Sequence, residues 1–364
     1  MTENYFHGVK IEEKTDGLAG ITLNSKTVIG IVGSAVQGEE NVPVLIKKAI
    51  DITENFGEDS ESHTLVRALK AIFLNASPLV VAVRSDAAGD LESKTGVYAL
   101  LKASSSLGYV PNVILAPGIE EVDTALEAVA KKLKAVALLD AATQAEAATK
   151  ASSNSSSRLF LCTPSVVGEG KIGTIGLSAF AAGVIAATDA KKGFYVSPSN
   201  KPIMGIDSLT EDVDWSLSDE NSDANELNKK GITTVIKHNG FRLWGNRTLG
   251  KTQDEDKANV FINVRRITDS INTSIQQSML DNIDKNISRE YVQNVTESVN
   301  SFLRRMRAVG AIINGYCWAS EEDNTAKQIK QGKLTLSFDY TPSYPADQIK
   351  FKSIITEKYI KEIF

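Results

Sequence analysis

The stretch from Lys333 to Asp347, KLTLSFDYTPSYPAD, decides how the C-terminal part of the chain folds. Its first half, as far as Tyr340, alternates between polar and apolar residues, which is typical of a strand that buries one face. Its second half carries two prolines, which lack the N–H that continues a ladder and which disfavour a tight hairpin. The apolar face of the predicted strand consists of Leu334, Leu336, Phe338 and Tyr340.

The alternation returns after the prolines, from Ile349 to Lys352, shortly before the sequence ends. Because Pro342 and Pro345 hold the connection extended, we expect the terminal segment to leave its own domain. A strand held away from its own sheet needs another sheet edge, and a second copy of the chain supplies one. The strand that we expect to be donated carries Ile349, Phe351 and Ile355.

The N-terminal residues show the same pattern. From Tyr5 to Glu12 the residues alternate, with Tyr5, His7, Val9 and Ile11 on one side. Two such strands at the ends of the chain predict a subunit that is linked to its neighbours by strand exchange. The alternative is that both terminal strands pair within their own domain, as terminal strands commonly do, and periodicity alone does not separate these two interpretations.

Length and composition narrow the class of protein. A chain of 364 residues is longer than one core usually organises, which indicates two domains or one large insertion. Hydrophobic residues at 42% and charged residues at 23% are those of an ordinary globular protein. No apolar run is long enough for a bilayer span and the N-terminus lacks a signal-peptide pattern, so we expect a cytoplasmic protein without membrane insertion. The net charge of −5 argues against general nucleic-acid binding.

Residues 25–198 alternate short apolar runs with longer amphipathic segments, which predicts a layered α/β domain with parallel strands. The predicted helices are Thr64 to Asn75, Thr95 to Leu107, Val122 to Leu133 and Ser178 to Ala190. The predicted strands are Thr27 to Val32, Leu79 to Arg84, Asn112 to Ala116, Ala135 to Leu139 and Arg158 to Cys162.

The pattern changes after Pro198. Strands are predicted at Ile232 to Lys237, Asn259 to Val264 and Ala311 to Cys317, and a helical pattern runs from Ser288 to Val309. Before it lies a narrow apolar stripe at four-residue spacing, formed by Ile267, Ile271, Ile275, Met279 and Ile283. We therefore predict an α/β fold with an inserted α/β layered domain and an α+β domain built from both chain ends. The predicted divisions are an N-terminal arm at 1–24, the inserted domain at 25–198, the α+β core domain at 199–340 and a proline-tethered arm at 341–364.

Catalytic motifs are missing from the sequence. The histidines His7, His63 and His238 show no metal spacing, and the glycines of Thr27 to Gly38 do not fit a dinucleotide loop. Ser178 lacks the second glycine of a nucleophile elbow. Cys162 and Cys317 lie in apolar contexts and are expected to be buried, unpaired thiols. From the residues alone we therefore predict no catalytic site, no cofactor and no metal, although missing motifs do not exclude an enzyme, since active sites assemble from residues that are distant in sequence.

Several segments resemble the contractile tail sheath proteins of phages and of phage-derived injection devices such as R-type pyocins. The resemblance covers most of the chain. Each segment alone is a weak signal, and the specificity comes from the order in which the segments follow one another. It begins with HGV at His7 to Val9 and VIGIVGSA at Val28 to Ala35. It continues through Ile206, LNKKGITTV at Leu227 to Val235, WGNRTL at Trp244 to Leu249, FINVRRITDSI at Phe261 to Ile271 and LTLSFDYTPSYPADQIKF at Leu334 to Phe351.

The resemblance implies a structural subunit without enzymatic activity. Sheath subunits of this family stack as six-membered rings around an inner tube and exchange terminal strands with their neighbours, and contraction drives the tube through a target envelope. The implied partners are further copies of the chain, the inner tube protein, and baseplate and terminator proteins. The implied location is a phage tail or a phage-tail-like particle, assembled in the cytoplasm. The chain is short for the family, so we expect no outer decoration domains.

Two arginine clusters are candidates for a surface that faces the tube. One is Arg265 with Arg266, and the other consists of Arg304, Arg305 and Arg307. The alternative for each cluster is an ordinary solvated helix end, which is the commoner case. Two rival interpretations of the chain stay open at this point: another ring-forming tail or baseplate structural protein, and an α/β enzyme with its site in residues 25–198.

Overall fold

A computed structural model describes residues 21–23, 26–58, 62–85, 92–250 and 260–363. The predicted N-terminal strand with Tyr5, His7, Val9 and Ile11 lies outside the described residues. The described residues form two parts, which we call the body, residues 26–250, and the C-terminal module, residues 260–363.

A sheet of nine described strands runs through the body, in the order β2-β3-β1-β4-β5-β6-β11-β12-β9. The six strands from β3 to β11 in this order are parallel, and the three at the two edges are antiparallel. The strands are β1 Val28–Gly33, β2 Pro43–Ile46, β3 Leu79–Arg84, β4 Val113–Leu115, β5 Val136–Asp140, β6 Leu159–Cys162, β9 Lys201–Pro202, β11 Ile232–Lys237 and β12 Phe241–Trp244.

Helices cover both faces of this sheet, which explains the continuous apolar runs in its central strands. In β1, Ile29 and Ile31 belong to one core, and Val28 and Val32 belong to the core on the opposite face. The prediction of parallel strands buried on both sides is confirmed. The helices of the body are α1 Ile50–Phe56, α2 Leu65–Asn75, α3 Glu92–Ala99, α4 Ala103–Leu107, α5 Asp123–Leu133, α6 Gln144–Ser153, α7 Leu177–Lys192 and α8 Asp223–Lys229.

A smaller antiparallel sheet of the body was not predicted from the sequence. It consists of β7 Val166–Gly168, β8 Gly173–Ile175 and β10 Ile206–Leu209, in the order β10-β7-β8. These strands have three or four residues each, too few for a periodic pattern to be recognised.

The predicted domain boundary at residue 198 does not coincide with a break in the sheet. β11 adds parallel to β6, and β12 and β9 continue the sheet beyond it, so the sheet extends to Trp244. The change in sequence pattern after Pro198 reflects the shift to antiparallel edge strands and short connections, rather than a new core.

The C-terminal module packs two helices against a two-stranded ribbon. The helices are α9 Ile262–Ser278 and α10 Arg289–Ala308, the strands are β13 Ile312–Trp318 and β14 Ser337–Pro342, and the short helix α11 Ala326–Lys330 connects the strands. The core of the module contains Ile267 and Ile271, as the predicted stripe indicated, together with Phe302 and Leu303 of α10. Ile283 lies beyond the end of α9 and is exposed, so the predicted stripe ends before it.

The prediction of a strand from Asn259 to Val264 is wrong, because α9 begins at Ile262 and Phe261 is its N-cap residue. A short apolar run is compatible with a strand or with a buried helical turn, and periodicity does not distinguish them. In the helical conformation, Ile262 and Val264 are both buried.

Candidate functional site: the β13–β14 ribbon and the C-terminal arm

The ribbon has one face on the helices and one face towards solvent. Its strands pair antiparallel with Cys317 opposite Phe338, and Cys317, Phe338 and Tyr340 contribute to the core of the module. On the solvent side, the rings of Tyr316 and Trp318 stack at 6.3 Å. A two-stranded sheet has little stability of its own, so the ribbon depends on α9 and α10 behind it.

The outer edge of β13 is closed by a side chain from α10. The buried Asn300 donates from Nδ2 to the backbone carbonyl of Cys317 at 3.0 Å, and its Oδ1 accepts from the Cys317 N–H at 2.8 Å. The carboxamide therefore makes the two hydrogen bonds that a neighbouring strand would make at this position. It follows that the backbone groups of Cys317 point away from β14.

The outer edge of β14 has no such side chain among the described residues. Because antiparallel strands alternate, Phe338 and Tyr340 stand opposite Cys317 and Gly315 and direct their backbone groups away from β13. No backbone hydrogen bond from any other described segment reaches these groups. An open edge of this kind is a template for a further strand.

The predicted strand from Lys333 to Tyr340 lies partly outside the ribbon. Its predicted face, with Leu334, Leu336, Phe338 and Tyr340, is half-buried. Pairing begins only at Ser337, because β13 ends opposite it at Trp318. Before that point the amide of Asn324 holds Thr335, with two hydrogen bonds of 2.8 Å to its backbone N–H and carbonyl.

The end of the chain is an exposed arm, which we define as residues 348–363. Phe351 is 90% exposed and Ile355 is 100% exposed, and Ile349 is also exposed. The arm forms no strand within the subunit and has only a 3₁₀ turn at Lys358–Ile363. Several large apolar side chains in an exposed segment are typical of a surface that another chain covers.

The prolines of the predicted tether lie before the arm. Pro342 is the last residue of β14 and is buried opposite Ile312. Pro345 follows in a segment, residues 343–347, that contacts the body. The two prolines therefore precede Asp347, which contacts residues 246 and 247, and every described residue after Asp347 is exposed.

Arg265 and Arg266 are not on the surface, which corrects their prediction as tube-facing residues. Both are buried in α9 and form ion pairs within the subunit. Arg265 pairs with Asp269 at 2.9 Å, and Arg158 of the body contacts the same carboxylate with two bonds of 2.9 Å. Arg266 pairs with Asp189 of α7. Separating these buried pairs would leave charges without a partner, which is costly, so the pairs of Arg158 with Asp269 and of Arg266 with Asp189 attach the C-terminal module to the body.

The arginines of α10 are exposed. Arg304 pairs with Glu297 on the same helix, and Arg307 is also solvent-accessible. Arg305 donates to the backbone carbonyl of Ile21 and so holds the first described residues of the chain beside α10. Whether this helix faces a tube stays a prediction.

An aspartate and a serine meet at the carboxyl end of the parallel sheet. Asp140 accepts from the backbone N–H of Ser178 at 2.8 Å and from its hydroxyl at 2.5 Å. Burial raises the pKa of Asp140 to about 6, although the hydrogen bonds from Ser178 oppose this. Gly176 is required beside it, since an added Cβ would lie 2.2 Å from the carboxylate.

This pair does not resemble a nucleophile with its base. Asp140 caps the N-terminus of α7, as a side chain at the N-cap would. The two described histidines lie elsewhere, His63 beside Ser62 and His238 against Trp215.

Both described cysteines, Cys162 and Cys317, are buried and unpaired, as predicted. Over the described ranges, no cluster of histidine, cysteine and acidic side chains could hold a metal ion, and no helix is long and apolar enough to cross a membrane.

Sequence reasoning missed the two asparagines that clamp the ribbon. Asn300 follows Val299 on the buried side of α10. A polar amide at a buried helical position needs a hydrogen-bond partner, and that requirement was the signal in the sequence that could have identified Asn300. It also missed the contact of Asp347 with residues 246 and 247. No periodicity reports that contact, because about a hundred residues separate its members.

Comparison with known proteins gives a consistent result over the chain. Residues 93–249 match the phage tail sheath protein central domain, and residues 254–356 match the phage tail sheath C-terminal domain. Residues 26–84 match the tail sheath protein Gp18 domain III N-terminal region.

Two curated relatives cover nearly the whole chain. A protein of Pseudomonas aeruginosa strain UCBPP-PA14 that is assigned as a prophage major tail sheath protein is 33% identical, over 99% of each chain. The major tail sheath protein of Serratia phage KSP20 is 31% identical, over 100% of this chain and 98% of its own length.

Solved structures share the fold. The helical sheath of the anti-feeding prophage in its contracted state superposes with a TM-score of 0.75 at 21% identity, covering 98% of this chain and 100% of that chain. The PVC sheath complex of an extracellular contractile injection system, also in its contracted state, gives 0.75 at 19% identity, covering 99% and 100%.

Proposed function

Because this chain belongs to the phage tail sheath family, we propose that it polymerises as a six-fold helical array around an inner tube by exchanging terminal β-strands with its neighbours. It is a structural protein of contractile tails, and contraction of the array drives the tube through a target envelope. The relatives are structural sheath proteins, so we assign no catalytic role to Asp140 and Ser178.

The observation that carries this proposal is the combination of an open strand edge and an unpaired arm in one subunit. The β14 edge offers the backbone groups of Phe338 and Tyr340, and the arm offers alternating apolar residues with no partner of their own. β-Augmentation joins such elements through backbone hydrogen bonds, with pockets for alternate side chains. Since the arm and the edge belong to the same chain, the contact is heterologous and continues from copy to copy.

The choice of edge follows from Asn300. Because its carboxamide occupies the β13 edge at Cys317, a strand that arrives there meets no free partner at that position. The β14 edge is therefore the acceptor edge for the arm of another copy. One acceptor edge per subunit gives the polymer a direction.

The N-terminal strand, with Tyr5, His7, Val9 and Ile11, is proposed as the second exchanged element. Its support is the position of Ile21, which is buried in the core of the C-terminal module and held there by Arg305. The first described residues therefore lie against the part of the subunit that carries the ribbon.

The proposed tube-facing surface is the exposed end of α10, with Arg304, Arg305 and Arg307. Contacts between these guanidiniums and an acidic tube surface would weaken as the salt concentration rises. Such charge complementarity would set the orientation of the subunit on the tube more than its affinity for the tube. Contraction without a nucleotide needs an extended array that is metastable and that rearranges once a barrier is crossed.

Deletion of residues 348–364 tests strand donation. We expect the truncated subunit, co-expressed with its tube and baseplate proteins, to remain folded and to form no long striated cylinders in negative-stain micrographs. Ile355→Ser should shorten or abolish the cylinders, whereas Leu217→Ser changes an apolar residue that is exposed in the body and should not. Long cylinders from the truncated subunit would contradict the proposal.

A further inference from the structure

Three segments that are distant in sequence meet where the C-terminal arm begins. They are residues 246–247 after β12, residues 261–263 at the start of α9, and residues 343–347 after β14. We call residues 343–347 the root of the arm. The root also stays attached to the ribbon, because Ser343 donates its N–H to Ala311 at 3.1 Å and its hydroxyl to Gly310 at 2.7 Å.

The carboxylate of Asp347 makes the polar contact that closes this junction. Oδ2 accepts from Arg247 Nη2 at 2.6 Å, and Oδ1 accepts from Asn246 Nδ2 at 2.9 Å. Asn246 is buried, and its backbone carbonyl accepts from the N–H of Ile262. The donor Asn246 is therefore fixed by burial in the body and by the start of α9.

Aromatic rings and one more amide complete the contact. The guanidinium of Arg247 lies 5.2 Å from the ring centre of Phe261, and that ring meets Tyr344 edge to face at 6.2 Å. Asn263 donates from Nδ2 to the carbonyls of both Ser343 and Tyr195 at 3.1 Å. A ring on one side and a carboxylate on the other leave the guanidinium little freedom to turn.

We propose that Arg247 is a positioning residue, which holds Asp347 and so fixes the root of the arm to the body. This inference rests on the proposed strand donation. The pivot of the arm is then Gln348, because Pro342 belongs to β14 and Pro345 belongs to the fixed root. When the contact is closed, residues 348–363 reach at most roughly 55 Å from it.

Opening the contact would lengthen the reach of the arm. If Asp347 leaves Arg247, residues 344–347 join the free segment while Ser343 stays bound to the ribbon, and the maximum span rises to roughly 70 Å. The ion pair is partly exposed, with side chains 36% and 39% accessible, so salt and competing charges can open it. The contact thus gives a strand-exchanged subunit two tether lengths, which would let bodies move apart while the donated strand stays paired.

Charge reversal in the full-length, unpolymerised subunit tests the inference. Spin labels at Gln348→Cys and at the exposed Lys237→Cys report the distance between the arm and the body by pulsed electron spin resonance. We expect a narrow distribution in the parent and one at least twofold broader in Arg247→Asp or Asp347→Arg. The double exchange Arg247→Asp with Asp347→Arg should narrow it again. Lys229→Glu, which breaks the exposed pair with Glu226, is the matched control and should change nothing.

An unchanged distribution in both single variants, at low salt, would overturn the positioning role. Broadening without recovery in the double exchange would also overturn it, because a general disturbance of the region would then explain the effect. This readout is independent of polymerisation. Long cylinders from the subunit lacking residues 348–364 would remove strand donation and leave the distance measurement standing, so the two failures are distinguishable.

Discussion

The body and the C-terminal module differ in how completely they satisfy their own strands. In the body, helices cover both faces of the central strands, and two separate cores fill the space between. In the module, two strands share one core, and one strand edge and a long apolar arm have no partner among the described residues. The strands of the body thus pair among themselves, whereas the module leaves an open strand edge that the proposed strand exchange would fill.

The body and the C-terminal module contribute differently to folding stability and to the proposed assembly. Burial of apolar surface is the main favourable term in folding, and the body contains most of it. The backbone groups that the proposed strand exchange uses lie in the module. Substitutions in the body should therefore reduce folding stability, and substitutions in the exposed parts of the module should reduce assembly while leaving the subunit folded.

The largest loss of stability is expected from Phe160→Ala in β6. Phe160 is fully buried in the core of the body, and removing its ring leaves a cavity that costs about 4 kcal/mol of unfolding free energy. Phe351→Ala removes the same ring from the exposed arm and should change the stability of the unpolymerised subunit by less than about 0.5 kcal/mol. Urea unfolding of both variants measures the difference, and equal losses would remove the distinction between the two regions.

The second effect concerns the junction between the two regions. Asp269→Ala leaves the buried guanidiniums of Arg158 and Arg265 without their shared carboxylate, which should cost about 3 kcal/mol. The exposed pair of Glu297 with Arg304 offers the control, and Glu297→Ala should cost less than about 1 kcal/mol. Urea unfolding of both variants gives the comparison, and similar values would show that the buried cluster does not hold the module to the body.

The body was also the part that the sequence predicted best. Long apolar runs identified five of the parallel strands, because a strand buried on both faces admits hardly any polar residue. Edge strands such as β2 and β12 lack that signal, and β12 extends the sheet beyond residue 198. In the module, the alternation around Phe338 identified the strand and its buried face, but not its register.

The register of β14 depends on contacts that a local pattern does not contain. Pairing starts at Ser337 because β13 ends opposite it, and Pro342 is tolerated because it lies at the end of an edge strand. The burial of the arginines in α9 also depends on contacts that a local sequence pattern does not contain. Exposure of Arg265 could not be judged from charge alone, since its partner Asp269 is on its own helix and the second guanidinium, Arg158, comes from the body.

The third effect is a pH dependence that belongs to the body alone. Because burial raises the pKa of Asp140 to about 6, from an ordinary value of 3.8, the folded state holds the proton more tightly than the unfolded chain does. Its contribution to stability is fully present below pH 3.8 and is lost as the pH rises through about 6, by about 3 kcal/mol at most.

Asp140→Asn keeps the shape and removes the titration. We expect the unfolding free energy of the parent to fall, relative to that of this variant, between pH 4 and 7. Urea unfolding at several pH values measures the difference, and parallel profiles for the two proteins would contradict the assigned cause.

The smallest effect on stability, with a distinct effect on assembly, is expected from Asn300→Ala. The variant leaves the N–H and the carbonyl of Cys317 without their partner and should cost about 1 to 2 kcal/mol. It should also speed hydrogen exchange at the Cys317 amide and open the β13 edge, so that a photo-crosslinker at Phe351 of another copy reacts with α10 as well as with β14. Ser301→Ala, at an exposed position of the same helix, is the control. If crosslinks stay on β14 alone in the Asn300 variant, the carboxamide does not select the edge, and the difference between the two edges must come from the packing of α10 itself.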